Sequence, residues 1–127
     1  MTSTWNPNEL EAIGAAAELS VAPRRPDGTL RPFTTIWVAR VGDDLYARSY
    51  HGPSGRWYRA AARTGSGRIE AGGIERDVSF EQADAVEPTL IDEAYRAKYS
   101  QSPYVDAMVS AEAAVTTIRL IPVEPAA

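Results

Sequence analysis

Thr34-Thr35-Ile36-Trp37-Val38-Ala39-Arg40-Val41-Gly42-Asp43-Asp44-Leu45-Tyr46-Ala47-Arg48-Ser49-Tyr50 decides how this chain folds. The first eight residues are rich in the β-branched and aromatic types that suit strands. Gly42-Asp43-Asp44 is a turn signal, so Leu45 to Tyr50 returns as a second strand and the two form a hairpin. Side chains alternate across a strand, which puts Leu45, Ala47 and Ser49 on one face and Tyr46, Arg48 and Tyr50 on the other. Arg48 therefore leaves its strand between two tyrosines. His51-Gly52-Pro53-Ser54-Gly55 is a loop, and Arg56 to Arg63 is a short helix with Trp57, Tyr58 and Ala61 available for packing.

Upstream, Asn6-Pro7-Asn8-Glu9 starts a helix, with Asn6 as cap, Pro7 at the first helical position and Glu9 reaching back to the cap. Its apolar face is Leu10, Ile13 and Ala17, and Gly14 can end it early. Leu19 to Ala22 is a first strand, and Pro26-Asp27-Gly28 a turn. Downstream, strands Gly67 to Ala71 and Ile74 to Phe80 flank Gly72-Gly73, a pair that permits the positive φ of a tight hairpin turn. Ile74, Val78 and Phe80 point inward. Two helices follow, Pro88 to Tyr99 with the stripe Leu90, Ile91, Ala94 and Tyr95, and Pro103 to about Ala111 capped by Ser102. A last strand covers Val115 to Ile121, and Pro125-Ala126-Ala127 reads as a loose tail. Short antiparallel strands with helices draped on them give an α+β class, a small β-barrel or half-barrel.

The chain has 127 residues, 44% of them hydrophobic and 24% charged, which suits one globular core. No apolar run reaches the roughly 20 residues of a membrane span, and the N-terminus has no signal-peptide pattern, so a cytoplasmic protein is expected. The absence of cysteine excludes disulfides, thiolate catalysis and cysteine-ligated metal, and His51 alone cannot build an imidazole-rich metal site. The net charge of -4 hides an asymmetry. Residues 24 to 68 hold nine arginines against three acids, and the remainder holds 14 acids against four bases. An acidic chain repels nucleic acid, but a local guanidinium excess attracts a small anion and grips it with paired donors.

Arg24-Arg25, Asp27-Gly28, Arg31, the Thr34 to Val38 strand, the Gly42-Asp43-Asp44 turn, Leu45 to Ser49, the glycine loop and Trp57-Tyr58-Arg59 together resemble the FMN-binding split-barrel superfamily. Within it the nearest likeness is to the deazaflavin-dependent nitroreductase family, over about residues 20 to 85. The chain also resembles an uncharacterised family of small bacterial proteins in the same superfamily. The resemblance implies an antiparallel split β-barrel with short flanking helices, one domain over residues 1–127 with its core at about 17–121. It also implies a homodimer that binds FMN or the 8-hydroxy-5-deazaflavin coenzyme, with no metal.

Carried over by position, Arg31, Thr34, Thr35, Arg48, Ser49, Tyr50 and Gly52 are the expected phosphate, backbone or cleft contacts of that cofactor. Trp57 and Tyr58 line its ring or the helix start. Independently of the resemblance, a guanidinium beside hydroxyls and a glycine loop supplies planar N–H, rotatable O–H and open amide donors for an anion. His51 is the one candidate for proton transfer, although hydride chemistry belongs to the cofactor and requires no protein base. Trp37 reads as a core residue. The function expected is flavin or deazaflavin binding, with hydride transfer to a small quinone- or nitro-like substrate as the reaction implied. Two other readings stand beside it. One is a non-redox anion-binding module or cofactor-free enzyme of the same fold, motivated by the all-arginine approach and the short loop. The other is an interaction protein using the acidic helices between Pro88 and Ala111.

Overall fold

A computed structural model describes residues 4–83 and 88–123; the expected tail at 125–127 lies outside them. Helix α1 (Pro7–Ala15) opens on a complete capping box. The Asn6 side chain accepts the Glu9 amide at 2.8 Å and the Glu9 carboxylate accepts the Asn6 amide at 3.2 Å. The helix continues one residue past Gly14, and Leu10 and Ile13 are its buried face.

Seven strands follow in one antiparallel sheet: β1 (Leu19–Pro23), β2 (Thr34–Ile36), β3 (Ala39–Val41), β4 (Asp44–Ala47), β5 (Ser66–Ala71), β6 (Ile74–Gln82) and β7 (Ile118–Pro122). Their order is β2-β1-β5-β6-β7-β4-β3, curled into a half-barrel with short helices around it. This is the expected α+β split-barrel architecture. The β5–β6 turn uses Gly72 and Gly73 at φ 57° and 81°. Gly72 is required twice over, because a Cβ there would also stand 2.4 Å from the Ala12 carbonyl oxygen of α1.

The eight-residue strand expected at Thr34–Val41 is corrected to two. β2 pairs with β1 at one edge of the sheet, while β3 pairs with β4 at the opposite edge. Trp37 and Val38 join them, so the two edges lie two residues apart in the chain and the joint is the seam of the half-barrel. The joint finds its partners in helix α3 (Pro88–Lys98) and the residue after it rather than in a strand. Trp37 stacks on Tyr99 with ring centroids 3.9 Å apart. The Val38 amide donates to the Tyr99 hydroxyl at 3.3 Å, and its carbonyl accepts from Lys98 Nζ at 2.9 Å.

Both faces of β4 are covered, which its alternation alone does not reveal. Leu45 and Ala47 enter the main core with Leu10, Ile13, Val21, Ile69, Val78, Ile118 and Leu120. Helix α2 (Arg56–Thr64) adds Trp57 and Ala61 to it. Tyr46 on the other face joins a second cluster with Ile91 and Tyr95 of α3 and with Val105 and Met108 of helix α4 (Val105–Met108).

Three expected elements shift. The helix expected from Pro103 to Ala111 is two short ones, α4 and α5 (Ala111–Ala114). Ser110 divides them, because its hydroxyl caps the Ala113 amide at 3.2 Å and ends the preceding turn by bonding the Ala107 carbonyl. The last strand starts at Ile118 rather than Val115, since the Thr116 and Thr117 hydroxyls bond back to Ala113 and Ala114. Leu90 is exposed rather than part of the buried stripe of α3.

Candidate functional site

At the seam, the end of β4 and the start of α2 enclose a cleft of about 770 Å³. Thr34, Thr35, Ile36 and Trp37 form one wall, and Arg48, Ser49, Tyr50 and His51 the floor and opposite side. Ser54, Gly55, Arg56 and Trp57 bring the helix start into it, and Tyr104 and Met108 close it from the α4 region. Six of the expected contacts thus meet here, namely Thr34, Thr35, Arg48, Ser49, Tyr50 and Trp57, together with His51. Arg31, Gly52 and Tyr58 do not line it. Gly52 is buried in the loop with Glu112 packed on it, and the Tyr58 hydroxyl accepts from Gln82 Nε2 at 3.1 Å.

β4 stops at Ala47, short of the strand expected to run to Tyr50, and Ser49 lies two residues past its end. Its amide donates to Thr116 Oγ1 at 2.9 Å and its carbonyl accepts from Gly52 at 3.0 Å, but its own Oγ is buried with no partner. That hydroxyl faces Gly55 closely enough that a Cβ on Gly55 would stand 2.1 Å from it. Gly55 is the N-cap of α2 and carries no side chain to satisfy the first-turn amides, which have no intrahelical acceptor. An orphaned buried hydroxyl and an uncapped helix start therefore lie side by side. Arg56, at the first helical position, is exposed and has no ion-pair partner among the described residues. No aspartate or glutamate lines the cleft, so the field at the helix start favours an anion.

Arg48, expected as a phosphate contact, is placed differently. Its side chain is fully buried and its donors go to the protein: Nε to Thr117 Oγ1 at 3.0 Å, Nη1 to the Asp92 carboxylate and to the Met108 carbonyl at 3.1 Å, and Nη2 to the Pro88 carbonyl at 3.4 Å. Its amide donates to the Tyr95 hydroxyl at 3.1 Å. Burial pushes the Tyr95 phenol well above its ordinary value, so it stays neutral and accepts. Arg48 ties α3 and α4 to the sheet and so sets the position of the far wall. Tyr50 and Tyr104 are half exposed at the mouth, their rings edge to face at 5.9 Å, and Tyr50 meets His51 in the same way at 5.1 Å.

Ile36, Ser54, Gly55, Arg56, Tyr104 and Met108 were not among the expected contacts, and Trp37, expected in the core, both packs against the second cluster and lines the cleft. Arg56 was findable as the first residue of a helix after a glycine loop. Tyr104 and Met108 carry no local signal, since only the tertiary fold brings them to the seam.

Residues 9–120 match a family model described as an uncharacterized protein conserved in bacteria (DUF2255). The chain belongs to that family. No curated protein matches it by sequence. Among solved structures it is similar to the conserved hypothetical protein Rv2991 of Mycobacterium tuberculosis, at 12% identity and TM-score 0.58, over 96% of this chain and 82% of the other. It is similar as well to an F420 reductase, at 15% identity and TM-score 0.51, over 91% and 93%. A third similar structure is a candidate 5-nitroimidazole antibiotic resistance protein of Bacteroides thetaiotaomicron, at 14% identity and TM-score 0.58, over 96% and 82%. At such identities the likeness is one of fold.

Proposed function

We propose that the seam cleft binds a planar, phosphate-bearing cofactor of the flavin or deazaflavin type. The observation that carries this reading is the buried, unpartnered Ser49 hydroxyl beside the uncapped start of α2, in an aromatic cleft that no carboxylate lines. The donor set fits a phosphate: the unpartnered Ser49 hydroxyl, the first-turn amides of α2 and the Arg56 guanidinium supply three kinds of donor, while the Ser54 hydroxyl is engaged by the His51 carbonyl at 3.0 Å. The residues present also fit a ring. Trp37, backed by Tyr99, and Tyr50 and Tyr104 offer flat apolar faces, and Thr34 and Thr35 offer hydroxyls at its edge.

Such a cofactor supplies hydride chemistry when bound, and the protein contributes binding, orientation and exclusion of water. In this reading Arg56 and Ser49 hold the phosphate, the helix start supplies fixed positive potential, and Trp37 sets the plane of the ring. Arg48 positions the wall that carries Tyr104 and Met108 rather than touching the ligand. A small quinone- or nitro-like acceptor is the substrate class, and two copies of a single split-barrel domain are the assembly. The fold of the F420 reductase and of the nitroimidazole resistance protein supports this reading. An anion-binding module without redox chemistry is the second reading, favoured by the commitment of Arg48 to protein acceptors.

Fluorescence titration with FMN, and separately with the deazaflavin coenzyme, tests the proposal. Saturable binding of one of them at micromolar concentration is expected, and Arg56→Ala weakens it roughly tenfold through loss of a charge-assisted bond at an exposed site. Binding of neither below about a millimolar level contradicts it.

A further inference from the structure

Lys98 is the chain's only lysine, beside twelve arginines. It ends α3, is half-buried, and no carboxylate pairs with it among the described residues. Its Nζ donates to the Val38 carbonyl at 2.9 Å and lies 5.2 Å from the centre of the Tyr99 ring. We propose that Lys98 is a covalent acylation site that controls the cleft wall, its amine taking an acyl group from a donor of the acyl-phosphate class.

The geometry supports both halves of this. An ammonium held by one carbonyl and one ring face, without an anion, is poorly compensated for its lost water, and burial lowers its pKa to about 8. The charged and titratable groups around it do not offset that. Tyr99 is itself pushed up to about 12 by burial, and the charge of Glu18 acts on that phenol. On the elements packed against α3, Arg40 of β3 turns to the Gly42 carbonyl and Asp106 of α4 pairs with Arg96. The free amine is the nucleophile, as for other desolvated lysines. Its lone pair forms the new N–C bond, the acyl carbon–oxygen bond breaks, phosphate leaves with that electron pair, and the amine's surplus proton goes to solvent.

The consequence reaches the cleft through Val38. An amide at Nζ has no charge and one N–H in place of three, so it loses the geometry that holds the Val38 carbonyl. Val38 shares the Tyr99 hydroxyl with the stack that fixes Trp37, and Trp37 lines the cleft. Acylation therefore loosens the aromatic wall at Trp37, the residue directly after β2. The effect of this on ligand binding rests on the reading of the cleft given above; the reactivity does not.

The intact chain is treated with acetyl phosphate across pH 6 to 11, and the rate at Lys98 is followed by peptide mass spectrometry, with the N-terminal amine as internal reference. A pKa lowered from 10.5 to about 8 raises the neutral fraction at pH 7.5 roughly two hundredfold. The weaker nucleophile returns part of that, so Lys98 in the folded chain is expected to react roughly tenfold faster than in urea, with an apparent pKa near 8. An apparent pKa near the ordinary lysine value, or slower reaction when folded, overturns the proposal. In the second arm, acylated protein and Lys98→Gln show greater acrylamide quenching of Trp37, isolated by difference against Trp37→Phe, while Lys98→Arg does not. Unchanged quenching on acylation overturns the control of the wall. Neither readout uses a cofactor, so failure of FMN binding contradicts the cleft's proposed function alone.

Discussion

At position 55 a single hydrogen in place of a methyl decides whether the candidate anion site exists. A Cβ on Gly55 meets the Ser49 hydroxyl at 2.1 Å and the Gly52 carbonyl oxygen at 3.3 Å. Gly55→Ala is therefore expected to lower stability in urea unfolding by about 1–3 kcal/mol, the usual range for overpacking. Ser49→Ala in the same chain restores part of the loss, because it removes the nearer clash. Strict additivity of the two changes contradicts this contact. The side to which Ser49 turns was legible in the alternation of Leu45, Ala47 and Ser49, although the strand itself stops at Ala47. That its hydroxyl is left without a partner was not, because orphaning depends on what α2 fails to supply. Lys98 and Tyr99 give a second expectation at this scale. Lys98 titrates near 8 folded against 10.5 unfolded, so between those values the unfolded chain holds more protons and stability rises with pH. Tyr99 titrates near 12 folded against 10.0 unfolded, so stability falls above pH 10. Thermal melts across pH 7.5 to 11.5 check both, and Lys98→Met removes the rise while keeping the fall.

Helices α3 and α4 depend on Arg48 for their seat on the sheet. The guanidinium is wholly buried while Asp92 is a third exposed, at 32%, so the two partners are unequal. Arg48→Met leaves the Met108 carbonyl and the Thr117 hydroxyl without their donor and Asp92 without its counter-charge, an expected loss of about 3 kcal/mol. Asp92→Asn retains an acceptor and access to water and costs about 1 kcal/mol. Equal losses, read from chemical denaturation, contradict the clamp. The place of Arg48 between Tyr46 and Tyr50 marks it in the sequence, but its donors serve the protein rather than a ligand. Alternation tells two faces apart and does not say that helices 40 residues later cover the second. The same limit explains the divided strand. Thr34 to Val41 is uniformly strand-like, and only the stack of Trp37 on Tyr99 reveals the joint. The capping box of α1 and the Gly72-Gly73 turn were legible because their signals are local.

For the molecule as a whole, charge is distributed unevenly and the fold sorts it further. Arg24 and Arg68 converge on Asp77, whose carboxyl they hold below the usual range, so those cations are engaged. Arg56, Arg59 and Arg63 remain exposed along one side of α2, without ion pairs among the described residues. In the proposed reading, net acidity elsewhere disfavours long polyanions while the helix start attracts a small one. Binding at the cleft is accordingly expected to weaken as ionic strength rises from 20 to 300 mM, checked by titration in sodium chloride; affinity indifferent to salt contradicts a phosphate held at an exposed arginine. The most direct measurement compares FMN with riboflavin, which has the same ring and no phosphate. If the start of α2, Ser49 and Arg56 hold the phosphate, FMN binds at least tenfold more tightly at low salt, and Arg56→Ala narrows the difference. Equal affinity for the two ligands contradicts the assignment of the anion to that site.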